Sequence, residues 1–214
     1  MSKVMIIGAN GAIAQLVTQQ LLATTTDELV LYLRRSQQLA NYADNPRVTL
    51  VTGSSSDTDL LARAMVDVDV VYSSLGNGVH LDEQTQHVID AMRQAGKTRF
   101  IYISALGAHH EVPGKFGDWN DAIIGGELVG FRKTAQLVAE SGLTYTEIRP
   151  AWLTNANEVA YETTDLVTGF KGTEVSRASV ADFAVKVITQ PNTYQNASVG
   201  LNKPNTDGDR PSWY

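Results

Sequence analysis

The sequence predicts an α/β protein: a doubly wound parallel sheet with helices on both faces and a small C-terminal lobe. Three observations predict it. Short apolar runs alternate with amphipathic ones from residue 3 to about residue 190. The first apolar run breaks at a glycine turn that opens a helical stretch. The polar turns that follow the apolar runs would, on a parallel sheet, fall along one edge. Right-handed crossovers then give the strand order 3-2-1-4-5-6, with a seventh strand beyond.

Val4 to Ile7 is the first strand, followed by Gly8-Ala9-Asn10-Gly11-Ala12-Ile13-Ala14 and a helix carrying Leu16, Val17, Leu21 and Leu22. Gly8 permits a sharp turn off the strand. Gly11 leaves the backbone open to a pyrophosphate, and Ala14 lets helix and strand pack closely. Asn10 is the expected N-cap, and the amides of Gly11, Ala12 and Ile13 would face bound phosphate. In this position the string reads as the first half of a dinucleotide-binding βαβ unit.

The second strand, Glu28 to Leu33, ends in Arg34-Arg35-Ser36. An NAD-binding unit usually has an acid here to accept from the ribose hydroxyls. Two guanidiniums suit a 2′-phosphate instead. The expectation is therefore NADP(H) in preference to NAD(H), the alternative being a solvated basic turn.

Arg47 to Thr52 is the third strand, followed by Gly53-Ser54 and by Asp57 as N-cap of a helix through Met65. The fourth strand, Val68 to Ser73, ends in a second glycine turn, Ser74-Leu75-Gly76-Asn77-Gly78. A helix over Leu81 to Ala95 leads to the fifth strand, Thr98 to Ile103, which stops at Ser104. A long loop is expected next, carrying His109, His110, Pro113, Phe116 and Trp119, then a helix from about Ile123 or Leu128 to Glu140. Leu143 to Ile148 is the sixth strand, closed by Arg149-Pro150. Beyond it come a loop with Trp152, Tyr161 and Phe170, an extended stretch over Thr173 to Ser176, and a helix announced by Ser179-Val180-Ala181-Asp182 as a capping box. Ala197 to Leu201 is the last candidate strand, and Asn202 to Tyr214 reads as a polar tail.

With 214 residues, 43% of them hydrophobic, one core suffices, so residues 1–214 form one domain, with 150–178 as a small substrate lobe. The net charge of -6 argues against nucleic acid or an anionic membrane as partner. The absence of cysteine excludes disulfides and cysteine nucleophiles. His80, His87, His109 and His110 lack metal-site spacing. No apolar run nears the ~20 residues of a membrane span. The chain opens directly in a strand, so a cytoplasmic location is expected.

Taken together, Gly8-Ala9-Asn10-Gly11, Arg34-Arg35, Tyr102-Ile103-Ser104-Ala105, Ser141 to Thr146 leading into Arg149-Pro150, and Val175-Ser176-Arg177 ahead of Val180-Ala181-Asp182 resemble the short-chain dehydrogenase/reductase superfamily. The match is to its atypical, NmrA-like branch, which also holds flavin and biliverdin reductases. The resemblance implies a Rossmann-type fold, a dinucleotide at the glycine turn, Ser104 near the nicotinamide, and Pro150 to Leu153, Trp152 included, along the nicotinamide end. By the same fold logic Ser74, Leu75 and Gly76 face the cleft, and Ser54 stands where the branch often has an adenine-side Asp. The Tyr-x-x-x-Lys relay of the standard branch has no counterpart ahead of Ser141: four residues before Lys133 stands Val129.

That relay gives or takes a proton at an alcohol or carbonyl oxygen. Without it, the acceptors left are planar ones such as flavins, quinones and conjugated systems, where hydride lands on a ring. The catalytic candidates are Ser104, whose alternative is a strand-end cap, and His109 as a general acid, whose alternative is a solvated loop residue. Trp119, Trp152 and Phe170 either stack on the acceptor or bury the lobe. A second function class stays open: a non-catalytic regulator that senses NADP(H) and signals to a protein partner.

Overall fold

The protein is described here from a computed structural model covering residues 1–76 and 78–214; Asn77, in the second glycine turn, lies outside the described residues. In chain order the elements are β1 (Lys3–Ile7), α1 (Ala12–Thr24), β2 (Glu28–Leu33), β3 (Val48–Thr52), α2 (Thr58–Ala64), β4 (Val70–Ser73), α3 (Leu81–Gln94), β5 (Arg99–Ile103), α4 (Gly114–Glu140), β6 (Thr144–Pro150), β7 (Trp152–Thr154), β8 (Glu162–Thr164), β9 (Glu174–Ser176), α5 (Arg177–Thr189) and β10 (Ala197–Asn202). Two 3-10 turns, Ser36–Tyr42 and Gly78–His80, complete the set.

The strands order as β3-β2-β1-β4-β5-β6-β10-β8. The first six match the expected Rossmann order, and β10 adds the seventh strand in parallel to β6. The eighth, β8, is antiparallel to β10 and was not legible in the sequence. It is three residues long, too short for a periodic signal. Outside this sheet, β7 and β9 pair in parallel as a small ribbon.

Both faces of the sheet are covered, which is why β1 reads Val4-Met5-Ile6-Ile7 with no polar alternation. Val4 and Ile6 pack under α1 and α5 with Val17, Leu21 and Val187. Met5 and Ile7 face α2 and α3 with Leu61, Val88 and Met92. Asp57 caps α2 as expected, accepting from the Leu60 amide at 3.0 Å.

Three expectations need correction. The stretch after Ser104 is a loop only as far as Pro113; α4 then runs 27 residues from Gly114. Glycine at 114, 117, 125, 126 and 130 suggested a loop because glycine disfavours helix interiors. Packing overrides that preference: a Cβ on Gly130 would sit 1.6 Å from the Gly78 carbonyl oxygen, and one on Gly117 2.1 Å from that of Val112. Second, α5 begins at Arg177, with Ser176 rather than Ser179 as N-cap; Ser176 Oγ accepts from the Ser179 amide at 3.0 Å. Third, the polar tail docks. The Ser212 amide donates to Glu174 at 2.7 Å, and Tyr214 packs edge-on against Trp119 and Trp152.

The Gly78–Gly130 contact ties the turn after β4 to α4. Gly130→Ala should therefore destabilise the fold by about 1–3 kcal/mol, the usual range for overpacking. At this chain length that is a fall in Tm of roughly 2–12 °C by thermal melt. An unchanged Tm would mean the two backbones do not touch. Among the described residues, no helix is long and apolar enough to cross a membrane.

Candidate active site

The carboxyl ends of β1, β2, β4, β5 and β6 open onto one groove with two basins. The polar basin, ≈ 780 Å³, passes Gly8, Asn10, Arg34, Arg35 and Ser54. The apolar basin, ≈ 600 Å³, passes Ala12, Ile13, Ser104, Pro150 and Trp152. Gly11, Ser74, Leu75 and Gly76 line both, so the two are continuous.

The glycine turn is built as its sequence requires, with one change. Gly8 has φ +74, open to glycine at little cost, and its amide donates to the Tyr32 carbonyl at 3.0 Å. The N-cap of α1 is Gly11, not Asn10. The Asn10 carbonyl is occupied by the Gln15 side-chain amide at 2.8 Å, and the Gly11 amide donates to the Gly8 carbonyl at 2.9 Å. The amides left without a helical acceptor are thus those of Ala12, Ile13 and Ala14, at the positive end of the helix dipole. That is the geometry of an anion cradle, and Gly11 keeps it open.

At the far end of the polar basin Arg34 and Arg35 are exposed, and among the described residues neither forms an ion pair. Ser54 presents its backbone carbonyl to the Tyr32 hydroxyl, which donates to it at 2.8 Å. Gly53 makes room for that phenol: a Cβ there would lie 2.2 Å from its oxygen. Burial, with the Asp57 charge, pushes the Tyr32 phenol up to about 12, so it stays a neutral donor.

The apolar basin is walled by Ile103, Leu106, Ile124, Phe131, Trp152 and Leu153, with Trp213 of the docked tail at its rim. The Trp152 indole is aimed by a hydrogen bond from Nε1 to Asn120 Oδ1 at 3.0 Å. Of the three aromatic candidates, only Trp152 lines the groove. Trp119 stacks with Phe116 and packs tilted against Trp152, and Phe170 is buried with the Arg149 guanidinium 5.8 Å above its ring. Lys133 faces away, 3.4 Å from Asp82 on α3.

Ser104 is buried at the groove floor, held by its amide donating to the Ile148 carbonyl at 2.7 Å. His109 does not line the groove. The sequence placed it in the loop after Ser104 as a candidate general acid, but that loop is pinned: Glu111 accepts from the Gly107 and His109 amides at 3.0 and 2.9 Å and pairs with the buried Arg149. The imidazole instead meets Glu147, Nε2 to Oε2 at 2.6 Å. Ser198 Oγ donates to the same carboxylate oxygen at 2.5 Å, and Arg149 Nε donates to Ser198 at 2.8 Å.

Glu147 is 1% exposed, so burial pushes its carboxyl pKa up. The hydrogen bond and charge of His109, with Ser198 and Ser104, outweigh burial and leave it below the ordinary value. The same hydrogen bond raises the His109 imidazole above its ordinary range against a smaller opposing effect of burial. Glu147 and Arg149 were missed in the sequence. Their signal was two charges at i and i+2 in a strand that should be buried on both faces.

The surroundings confirm the class. A crystal structure of a short-chain dehydrogenase/reductase from Veillonella parvula in complex with NADP superposes with a TM-score of 0.92 at 27% identity, over 99% of each chain. A Rossmann-fold NAD(P)-binding family protein from Shigella flexneri superposes with a TM-score of 0.83 at 35% identity, over 99% of this chain and 98% of that one. An uncharacterized sugar epimerase, YhfK of Bacillus subtilis, is 28% identical over 98% of this chain and 96% of its own. Residues 8–191 match the NAD(P)H-binding family, and the chain belongs to it as an atypical member of the short-chain dehydrogenase/reductase superfamily.

Proposed function

We propose that the protein is an NADPH-dependent reductase of a planar, conjugated acceptor of flavin or quinone type. The observation that carries this reading is the continuous groove: two unpaired arginines at one end, an anion cradle in the middle, and an apolar, Trp-walled basin with a buried serine at the other. The residues fit the dinucleotide. Arg34 and Arg35 would hold the 2′-phosphate and the open end of α1 the pyrophosphate. Ser74, Leu75 and Gly76 would bound the span between the basins, and Ser104 and Pro150 would flank the nicotinamide. When bound, NADPH supplies hydride at that end. NADH would fit the same groove without the arginine contacts, and so more weakly.

The apolar basin excludes water and orients a flat ring against Trp152. The Ser104 hydroxyl supplies a hydrogen bond at the reacting atom. Sugar epimerisation, the chemistry in the Bacillus relative's name, inverts a carbon that bears a hydroxyl and calls for a base beside it. Among the described residues no tyrosine lines the apolar basin, whose charged lining residues are Glu127 and Arg177.

The test is NADPH oxidation with FMN, menadione and biliverdin as probe acceptors. Turnover of at least one supports the reading. Tight NADPH binding with no turnover of any would replace it with the NADP(H)-sensing regulator. Ser104→Ala should lower kcat about tenfold or more with the preferred probe, while NADPH affinity stays within a few-fold. Unchanged kinetics would return Ser104 to a strand-end role.

A further inference from the structure

The buried polar atoms around Ser104 present an unanswered question. Ser104 Oγ, Tyr102 Oη and Glu147 Oε1 are all buried, and none has a hydrogen-bond partner of ordinary geometry. Leaving such groups unsatisfied is costly. Yet they lie together. Tyr102 and Glu147 are register partners on β5 and β6, and Ser104 follows two residues after Tyr102 on the same face. The Ser104 amide bonds the carbonyl of Ile148, the residue after Glu147, at 2.7 Å, which sets the serine beside that carboxylate's strand. The other oxygen of that carboxylate is bound to His109, whose side chain is 29% exposed. One buried carboxylate thus stands between a serine on the groove floor and an imidazole that reaches solvent.

We infer that Glu147 and His109 form a proton relay that resupplies Ser104, replacing the missing Tyr-Lys pair. This rests on the reading of Ser104 as the residue at the reacting end. The balance is simple. Hydride brings both electrons to the acceptor and leaves it one proton short. The Ser104 O–H bond breaks and its proton goes to the acceptor. The His109 imidazolium first gives its proton to the Glu147 carboxylate, and the protonated Glu147 then gives a proton to the serine oxygen, ending ionised again. His109 ends neutral and is recharged from water. No atom of the protein is oxidised or reduced. Ser104 is the catalytic residue here; Glu147 and His109 act through it as positioning residues.

The charges around the pair suit this. From β6, Arg149 and Tyr145 face it; from β10, Ser198; from β5, Tyr102; and from the 107–112 loop, Glu111, which neutralises Arg149. Arg132 of α4 bonds the Gly107 carbonyl at 3.2 Å and fixes the loop rather than the imidazole.

Two measurements test it. The first needs no acceptor: NMR titration of His109 in wild type, Ser104→Ala and Glu147→Gln. The wild-type midpoint should lie above the ordinary ~6.5. Glu147→Gln should bring it down. Ser104→Ala should move it upward, because a carboxylate relieved of the serine contact holds the imidazolium more tightly. A midpoint unmoved by Ser104→Ala would overturn the relay, since the pair would then be insulated from the groove. The second is kcat against pH with whichever of FMN, menadione or biliverdin the wild type reduces fastest. The wild-type rate should fall as pH rises through the His109 midpoint, where the proton to be supplied is lost. Glu147→Gln and His109→Gln should each lower kcat by about 10²-fold, the low end for a positioned proton donor, with KM within a few-fold. Should Glu147→Gln fail to fold, His109→Gln alone carries the test. If wild type turns over and the variants keep its kcat and pH profile, the relay falls and the reductase reading stands. If wild type reduces no probe, both fall.

Discussion

Gly11→Val is expected to fold nearly as well as the wild type and to lose NADPH binding. The backbone at Gly11 has φ -62 and ψ 148, angles that any L residue adopts. Of the two glycines only Gly8, at φ +74, needs to be one for its backbone conformation. What Gly11 provides is space. A Cβ would touch the Gly8 carbonyl oxygen at 3.3 Å and Ser74 Oγ at 3.6 Å, leaving valine's methyls to fill the point shared by both basins. That is where a pyrophosphate must lie to reach the open amides of Ala12 and Ile13. Hydrogen bonds to charged groups contribute about 1.5–3 kcal/mol each. Losing two should weaken binding by ~10²-fold or more. Fluorescence titration of NADPH, beside a thermal melt, reads both quantities. Gly8→Val is the contrast: with φ +74 and a Cβ 3.1 Å from the Ser74 carbonyl oxygen, it should lower Tm itself. A folded Gly11→Val protein that binds NADPH normally would place the phosphates elsewhere.

The second large effect is on cofactor choice. Wild type should bind NADPH about 10–100-fold more tightly than NADH, equivalent to one charged hydrogen bond from arginine to the 2′-phosphate. Arg34→Asp should abolish that preference, since the aspartate repels the phosphate and offers an acceptor to ribose hydroxyls. Both arginines are exposed, so the preference should shrink as salt is raised. Parallel calorimetric titrations of the two cofactors at low and high salt would measure it. Equal affinity of wild type for both would leave the arginine pair as a solvated turn.

That the residues of the polar basin gather in one groove was legible because their placement rests on backbone and on short-range order. A glycine turn between strand and helix, or an arginine pair at a strand end, is local in sequence and local in space. The placement of Ser104, just past β5, and of Pro150, the last residue of β6, on that groove was legible for the same reason, since topology fixes the edge where both strands end. What stayed hidden was long-range. His109 looked like a free loop residue because nothing near it in sequence shows that Glu111, Arg149 and Glu147 hold it behind the groove floor. The N-terminal half of α4 was hidden because its glycines serve a contact with the turn at Gly78, a partner about 50 residues away. The docked tail, which brings Trp213 to the groove rim, has only polar composition to show before it meets Glu174 and Trp119.

The most direct measurement is a crystal structure with NADP+ bound. It should show the 2′-phosphate within hydrogen-bonding distance of Arg34 or Arg35 and the pyrophosphate over the Ala12 and Ile13 amides. The nicotinamide should lie beside Ser104 and Pro150, with its open face toward Trp152. A nicotinamide lying in the polar basin, or a 2′-phosphate in contact with neither arginine, would contradict the account.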